Sequence, residues 1–357
     1  MRNKVFQIMG ISMAVMCMLL SGGCSGSQGR ENEQAVQDKT GSWQDSKDEK
    51  TESQDRELLE GETGKQQSLK EETGMQTPEE ETEKQEFPEK TERQKQPEDE
   101  QQPELVEMDW SEYFHGLNGA AVIYDVSRMQ QAVFAKKTAM TRRSPCSTFK
   151  IISSLTALEL GIINPEHSLR SWSGEVFWNE SWNRDKDFQS AFRDSCVWYF
   201  RKVTDEIGPQ AMKEAVDKLS YGNRDISDWE GRLNTNNSSP ALTGFWIESS
   251  LKISPIEQTE VLERIFGKAS AYSQASLDAL REVMLLAEEQ NQTGIPIYGK
   301  TGMGVEHGVT VDAWFSGFAE QEGRTIYFCV YLGRTDGMDV TSAAAREIAI
   351  QLVSDYI

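Results

Sequence analysis

Histidine is scarce. His115, His167 and His307 are the only three in 357 residues, and none belongs to a recognisable triad or metal motif, which sets a Ser-His-Asp mechanism aside. Cysteine is nearly as thin. Of five, Cys17 and Cys24 lie in the first 24 residues, leaving Cys146, Cys196 and Cys329. With no CxxC pair and no His spacing suited to a metal, zinc and dithiol redox sites are excluded, and no metal is expected. Long apolar runs are missing too. Val5–Leu20 is the longest, short of the ~20 residues a membrane helix needs. Positive charge is in deficit, 37 Lys plus Arg against 58 Asp plus Glu for a net of −21, which argues against nucleic acid as a partner. Aromatics almost vanish between residues 25 and 107, where only Trp43 and Phe87 occur.

What is present divides the chain in three. Residues 1–24 carry a basic head (Arg2, Lys4), a short hydrophobic core and Ser21-Gly22-Gly23-Cys24. That is the layout of a signal peptide. Small residues directly before a cysteine resemble a bacterial lipobox, although serine stands at position 21 where leucine is usual. The expectation is an exported lipoprotein anchored through Cys24 on the extracytoplasmic face of the cell membrane. Residues 25–107 hold 25 Asp plus Glu against 11 Lys plus Arg. This segment cannot bury enough apolar surface to offset chain entropy, so a disordered acidic tether is expected. Two thirds of the net charge sits there, and the acidity describes the tether rather than a catalytic surface. From residue 108 to 357 the chain reads as one catalytic domain.

Within that domain the stretch Ser147-Thr148-Phe149-Lys150 draws attention. It lies where a loop gives way to a helical pattern, Ile151 to Leu160, closed by Gly161. Positions three apart share a helix face, so a hydroxyl nucleophile and an amine base can meet. A helix start also offers unpaired N–H groups for a developing oxyanion. Alone, Ser-x-x-Lys is a weak signal that occurs often by chance, and an N-cap serine with a solvated lysine is the plainer reading until partners appear. Around it, Gly119–Asp125 and Gln131–Phe134 read as strands and Phe188–Val203 as one helix. Gln210–Leu219, Pro255–Phe266 and Ser276–Glu289 read as further helices. The last third gives strands near Ile297–Gly302, Val311–Ala319 and Arg324–Leu332, then a helix over Ala343–Tyr356. Strands at both ends with helices between predict an α+β fold: an antiparallel sheet flanked by terminal helices, with a mostly helical subdomain. Trp172, Trp178 and Trp182 are either cleft lining or packing.

Three motifs stand in fixed order: Ser147-x-x-Lys150, Ser195-Cys196-Val197 and Lys300-Thr301-Gly302. Together they resemble the penicillin-recognising enzymes, β-lactamases and penicillin-binding proteins. Phe149, Val197, Tyr221-Gly222-Asn223 and Phe245-Trp246-Ile247-Glu248-Ser249 narrow the resemblance to class D, oxacillinase-type, serine β-lactamases. It covers about 108–357. A polar run, Asn234 to Ser239, lengthens the stretch between Tyr221 and Trp246, and Cys146 and Cys196 are not part of the family pattern.

The resemblance implies hydrolysis of β-lactam antibiotics. Ser147 would be the acylated nucleophile. Lys150 would be carboxylated by carbon dioxide from bicarbonate and act as general base, with no other cofactor. Trp246 would donate its indole N–H to the modified lysine, and Val197 with Ile247 would screen it from water. Ser195 would relay a proton to the departing nitrogen. Lys300, Thr301 and Gly302 would serve substrate binding. The N–H groups of Ser147 and Met303 would form the oxyanion hole, and Arg346 (or Arg334) would clamp the substrate carboxylate. Related sensor domains and penicillin-binding peptidases share this machinery, the latter typically with asparagine at the position of Val197. Cys146 and Cys196, each beside a catalytic serine, read as buried thiols or a disulfide.

Overall fold

The structure, a computed structural model, describes residues 102–357. The expected signal peptide, the anchor Cys24 and most of the expected tether lie outside the described residues. Six strands and eight helices follow in chain order. They are β1 Glu104–Glu107, α1 Ser111–Phe114, β2 Gly119–Asp125, β3 Gln130–Phe134, α2 Lys136–Ala139, α3 Lys150–Glu159 and α4 Phe188–Arg193. After these come α5 Val197–Lys218, α6 Pro255–Phe266, α7 Gln274–Met284, β4 Ile297–Glu306, β5 Val309–Gln321, β6 Arg324–Gly333 and α8 Ser342–Tyr356.

The strands form one sheet in the order β1-β3-β2-β6-β5-β4. Every pairing is antiparallel except β1 with β3, which is parallel. The sheet is therefore mixed at one edge, where an all-antiparallel one was expected. It also starts at Glu104, four residues ahead of the boundary that composition suggested. Charge hid the strand: Glu104 and Glu107 flank Leu105 and Val106, and half-buried Leu105 packs on Ala120, Val122, Val133 and Ala139.

The alternation of β6 explains the layers. Ile326, Phe328, Val330 and Leu332 face a core completed by α8 through Ile348, Ala349, Leu352 and Val353. Tyr327 points the other way, into a larger core that the helices α3 to α7 build. With both faces covered, the strand is buried along nearly its whole length. Helix starts follow local chemistry. Ser254 and Glu257 form a capping box on α6 with Pro255 at its first position, and Thr341 caps α8.

The helix expected over Phe188–Val203 is broken. α4 stops at Arg193, Ser195 turns to φ +53°, and α5 begins at Val197. The N–H of Cys196 reaches back to the carbonyl of Ala191 at 2.8 Å, a helix-closing bond normally made around glycine. At this turn Lys186, 1% exposed along its side chain, pairs with Asp194. Further on, α5 kinks at Gly208 (φ +77°) ahead of Pro209, so the separate helix expected from Gln210 is its second half. α7 ends at Met284, five residues short of expectation, and Leu285 then bridges to Tyr298.

Removing β1 tests where the domain starts. A chain beginning at residue 108 loses the parallel edge and the Leu105 contact, about 2 kcal/mol. Its thermal midpoint should fall by roughly 4–8 °C relative to a chain beginning at 102. Equal midpoints by calorimetry would show that β1 contributes nothing.

Candidate active site

The turn that carries Ser147 is held from outside by Trp246 and Gln258. Cys146–Phe149 is a tight helical turn running straight into α3. The Cys146 N–H donates to the Trp246 carbonyl at 2.9 Å, and Ser144 Oγ donates to the same oxygen at 3.1 Å. Gln258 Nε2, on α6, donates to Thr148 Oγ1 at 2.8 Å, and that hydroxyl donates to the Pro145 carbonyl at 2.7 Å. Cys146 itself sits at φ +48°. Like Ser195, it is a non-glycine residue in the left-handed region, at a cost of about 1–2 kcal/mol. Both strained residues stand at or beside a catalytic-motif serine.

Lys150 Nζ lies 2.7 Å from Ser147 Oγ. The lysine is 1% exposed, and its ammonium has no salt-bridge partner among the described residues. Burial lowers its pKa from 10.5 to about 8. The Phe200 ring lies 5.5 Å from Nζ. Phe149 and Trp246 stack nearby at 6.0 Å between ring centroids, and Val197 and Ile247 pack on the same core. The Trp246 indole N–H makes no hydrogen bond among the described residues and is open to a new acceptor. Lys300 is buried as well. Burial first, then the charge of Lys150, holds its pKa well below the ordinary lysine value. Its Nζ donates to Thr301 O and Oγ1 at 3.1 and 3.2 Å.

Gly302 explains how close the third motif comes. A Cβ there would lie 3.1 Å from both the Pro145 carbonyl and the Thr148 methyl. Glycine lets the edge strand β4 press against the nucleophile turn. Because β4 is an edge, alternate N–H groups point away from β5. Val305 uses one of these to reach Glu248. Met303, two residues earlier and before a register shift between Gly304 and Val305, lines the cavity on the same strand.

These elements border a cavity of about 730 Å³. Ser147, Ser195, Val197, Ile247, Thr301, Gly302 and Met303 line it. Lys150, Lys300 and Trp246 are buried behind them. Of the three tryptophans, Trp178 and Trp182 form one wall with rings 5.1 Å apart, while Trp172 packs on the helical core. Arg346 is not brought to the lining. It lies one turn past Ser342, which does line the cavity, and its Nε is buried without a partner among the described residues. Arg334 is engaged with Asp339 at 3.1 Å. Cys146, Cys196 and Cys329 are buried free thiols, so the packing reading replaces the bridge. Burial pushes the Cys146 and Cys196 thiols up to about 12 and about 11.

Sequence reading missed Asp194 and Glu248, which both line the cavity. Asp194 is held below the usual carboxylate range by Lys186 and Arg193 despite its burial. Burial raises the pKa of Glu248, and the charges of Asp312 and Glu306 add to this. Each stands directly beside a motif residue, Glu248 inside the stretch that carried the resemblance, but no role was read for either, and Glu248 meets its Val305 partner only across 57 residues of chain.

A six-stranded sheet, a helical subdomain and a serine–lysine pair under a Lys-Thr-Gly strand define a penicillin-recognising serine acyl-transfer domain. The penicillin binding protein transpeptidase domain family matches residues 117–354, and the chain belongs to that family. It is 33% identical over 248 residues to β-lactamase OXA-1 of Escherichia coli, covering 68% of this chain and 87% of that one. Against regulatory protein BlaR1 of Bacillus licheniformis it is 31% identical over 247 residues, 69% of this chain and 38% of that protein. The chain thus spans little more than a third of BlaR1. Of solved structures, the C-terminal domain of the Bacillus licheniformis BlaR penicillin-receptor superposes with a TM-score of 0.60 at 28% identity, covering 71% of this chain and 96% of that one. A class D β-lactamase from Bacillus subtilis gives 0.59 at 29%, covering 70% and 95%. Class D β-lactamases and the BlaR sensor domain are thus about equally similar to it.

The buried lysine makes a stability prediction. The native state favours neutral Lys150, so between pH 8 and 10.5 the unfolded chain holds more protons and stability rises with pH. Below pH 8 the penalty is full, on the order of 3 kcal/mol. Lys150→Met should therefore raise the thermal midpoint at pH 7, with the gain vanishing above pH 10.5, while abolishing acylation. A lower midpoint at pH 7 would mean that Lys150 is not a strained buried amine.

Proposed function

We propose that this chain hydrolyses β-lactam antibiotics as a class D-type serine β-lactamase. The observation that carries the reading is Lys150: a buried amine of depressed pKa, 2.7 Å from Ser147 Oγ, with apolar Val197 beside it where a polar asparagine would support the charged form.

Ser147 Oγ attacks the β-lactam carbonyl carbon as its proton passes to the base at Lys150. The oxyanion is held by the N–H groups of Ser147 and Met303, each of which is worth about 10²–10³ in rate at such a site. The C–N bond of the ring then breaks, and Ser195 passes a proton to the departing nitrogen. Lys300 contributes charge near Ser195, and Thr301 Oγ1 binds the substrate carboxylate. Arg346 serves the same carboxylate if its side chain swings past Ser342. Water, activated at Lys150, attacks the acyl ester and returns Ser147 to its resting form.

The pocket suits carbon dioxide. Only the neutral amine reacts with it, and at pH 7 a group of pKa about 8 is neutral in roughly one molecule in ten. The carbamate so formed supplies a stronger, anionic base, with the free Trp246 N–H available to it as a donor. Export and anchoring through Cys24, with residues from 25 to about 103 as an acidic tether, complete the proposal: an enzyme on the outer face of the cell membrane that meets β-lactams before they reach the cell wall machinery.

Similarity to the BlaR penicillin receptor supports a second reading, a domain acylated once without turnover. Hydrolysis of a chromogenic cephalosporin separates the two. Turnover far beyond one equivalent, lost in Ser147→Ala, is expected for the hydrolase. A burst that stops at one equivalent would sink it and leave the receptor.

Bicarbonate dependence tests the base. Activity should rise with added bicarbonate and drop in carbon-dioxide-free or mildly acidic buffer, where Lys150 is protonated. Trp246→Phe should deacylate slowly and need more bicarbonate. Wild-type rates indifferent to bicarbonate from neutral to acidic pH would count against carboxylation.

A further inference from the structure

The polar run between Tyr221 and Trp246 crosses to the far wall of the cleft. Asn236 Nδ2 donates to Glu248 Oε2 at 2.9 Å, and Asn236 Oδ1 accepts from the His307 N–H at 3.1 Å. The remaining Glu248 oxygen, Oε1, accepts from the Val305 N–H. Three hydrogen bonds thus close a ring between the loop, Glu248 and the β4–β5 hairpin. Asn236 from one side and Val305 and His307 from the other line the same cavity.

The middle of the ring is anchored and its ends are not. Glu248 sits at φ +52° with its N–H donating to Ser144 Oγ at 2.7 Å, three residues from the nucleophile. Asn236 and His307 lie on exposed chain, and Gly308 at φ +78° forms the hairpin tip. The only long-range partners that Asn236 and His307 show among the described residues are those of the ring. Asn234 still ties the base of the loop to the Ile247 carbonyl at 3.3 Å, so the ring is what joins the loop to the hairpin tip among the described residues.

We propose that Asn236 and Glu248 determine specificity by tying the loop to the hairpin, so that the cleft admits β-lactams with compact substituents and resists those with large ones. This rests on the reading of the cleft as a β-lactam site. Neither residue touches the reacting atoms.

The chemistry of the ring offers a swap that remakes it. Glu248→Gln sets an amide NH₂ against either the Asn236 NH₂ or the Val305 N–H, breaking one bond. Asn236→Asp sets two carboxylates together. Combined, Asn236→Asp with Glu248→Gln restores all three bonds: the glutamine oxygen accepts from Val305 while its NH₂ donates to Asp, which accepts from His307.

The measurement is the second-order rate of covalent labelling at Ser147, which reads out in a hydrolase and in a receptor alike. Two probes are used, a penicillin with a single benzyl side chain and a cephalosporin with large groups at both ends. Each single variant should raise the ratio of bulky to compact labelling by about tenfold, an ordinary coupling between contacting residues. The double variant should bring it back to the wild-type ratio. Asn236→Ala, at an exposed position, should match the single variants and covers the case where Glu248→Gln does not fold. If both probes change in parallel, or the double variant fails to restore the ratio, the tie does not set specificity. A wild-type chain that neither probe labels would overturn the β-lactam reading, and this proposal with it.

Discussion

An amine held in an apolar pocket without a counter-charge is an unfavourable arrangement, and most of the site's structure exists to sustain it around Lys150. Burying an ammonium costs several kcal/mol unless the group loses its proton. The Phe200 ring lies 5.5 Å from the amine, Phe149 and Trp246 belong to the same core, and Val197 and Ile247 pack on that core while lining the cavity. The result is a lysine of lowered pKa, its amine 2.7 Å from the Ser147 hydroxyl. Lys300, equally buried and repelled by Lys150, shares the constraint, so the two amines cannot both hold their protons without mutual cost.

The same constraint dictates the backbone around it. Two packing layers on a six-stranded sheet provide the rigidity, and three distant segments meet at one point: the turn before α3, the turn between α4 and α5, and the edge strand β4. Two of these turns place a non-glycine residue, Cys146 and Ser195, in the left-handed region. Such strain persists only where the surroundings over-determine it. The hydrogen bonds from Cys146 and Ser144 to the Trp246 carbonyl, and the buried Lys186–Asp194 pair, are those surroundings.

Membership of the penicillin-recognising family leaves hydrolase and receptor open, because both need an acylated serine and an oxyanion hole. The difference lies in whether water at the acyl ester finds a base. That places the weight on Lys150 and its apolar screen rather than on the motifs common to both kinds of protein.

Much of this was legible in the chain itself. The spacing of Ser147 and Lys150 put hydroxyl and amine on one helical face, short apolar runs read as β2, β5 and β6, and Pro255 marked the start of α6, because these signals are local. The order of the three motifs identified the family. Tertiary structure decided the rest. Only packing across the fold could bury Lys150 and set its pKa. The Ser195 turn has no glycine to announce it, and β1 is masked by its own glutamates. Whether Cys146 and Cys196 bridge depends on the mutual direction of side chains that the sequence leaves free. Arg346 matched the position of a substrate clamp, yet helix α8 sets Ser342 at the cavity and holds the arginine one turn behind. Asn236 and Glu248 reach Val305 and His307 only because the fold brings a loop and a hairpin to opposite lips of one cleft, a closeness that no spacing along the chain encodes.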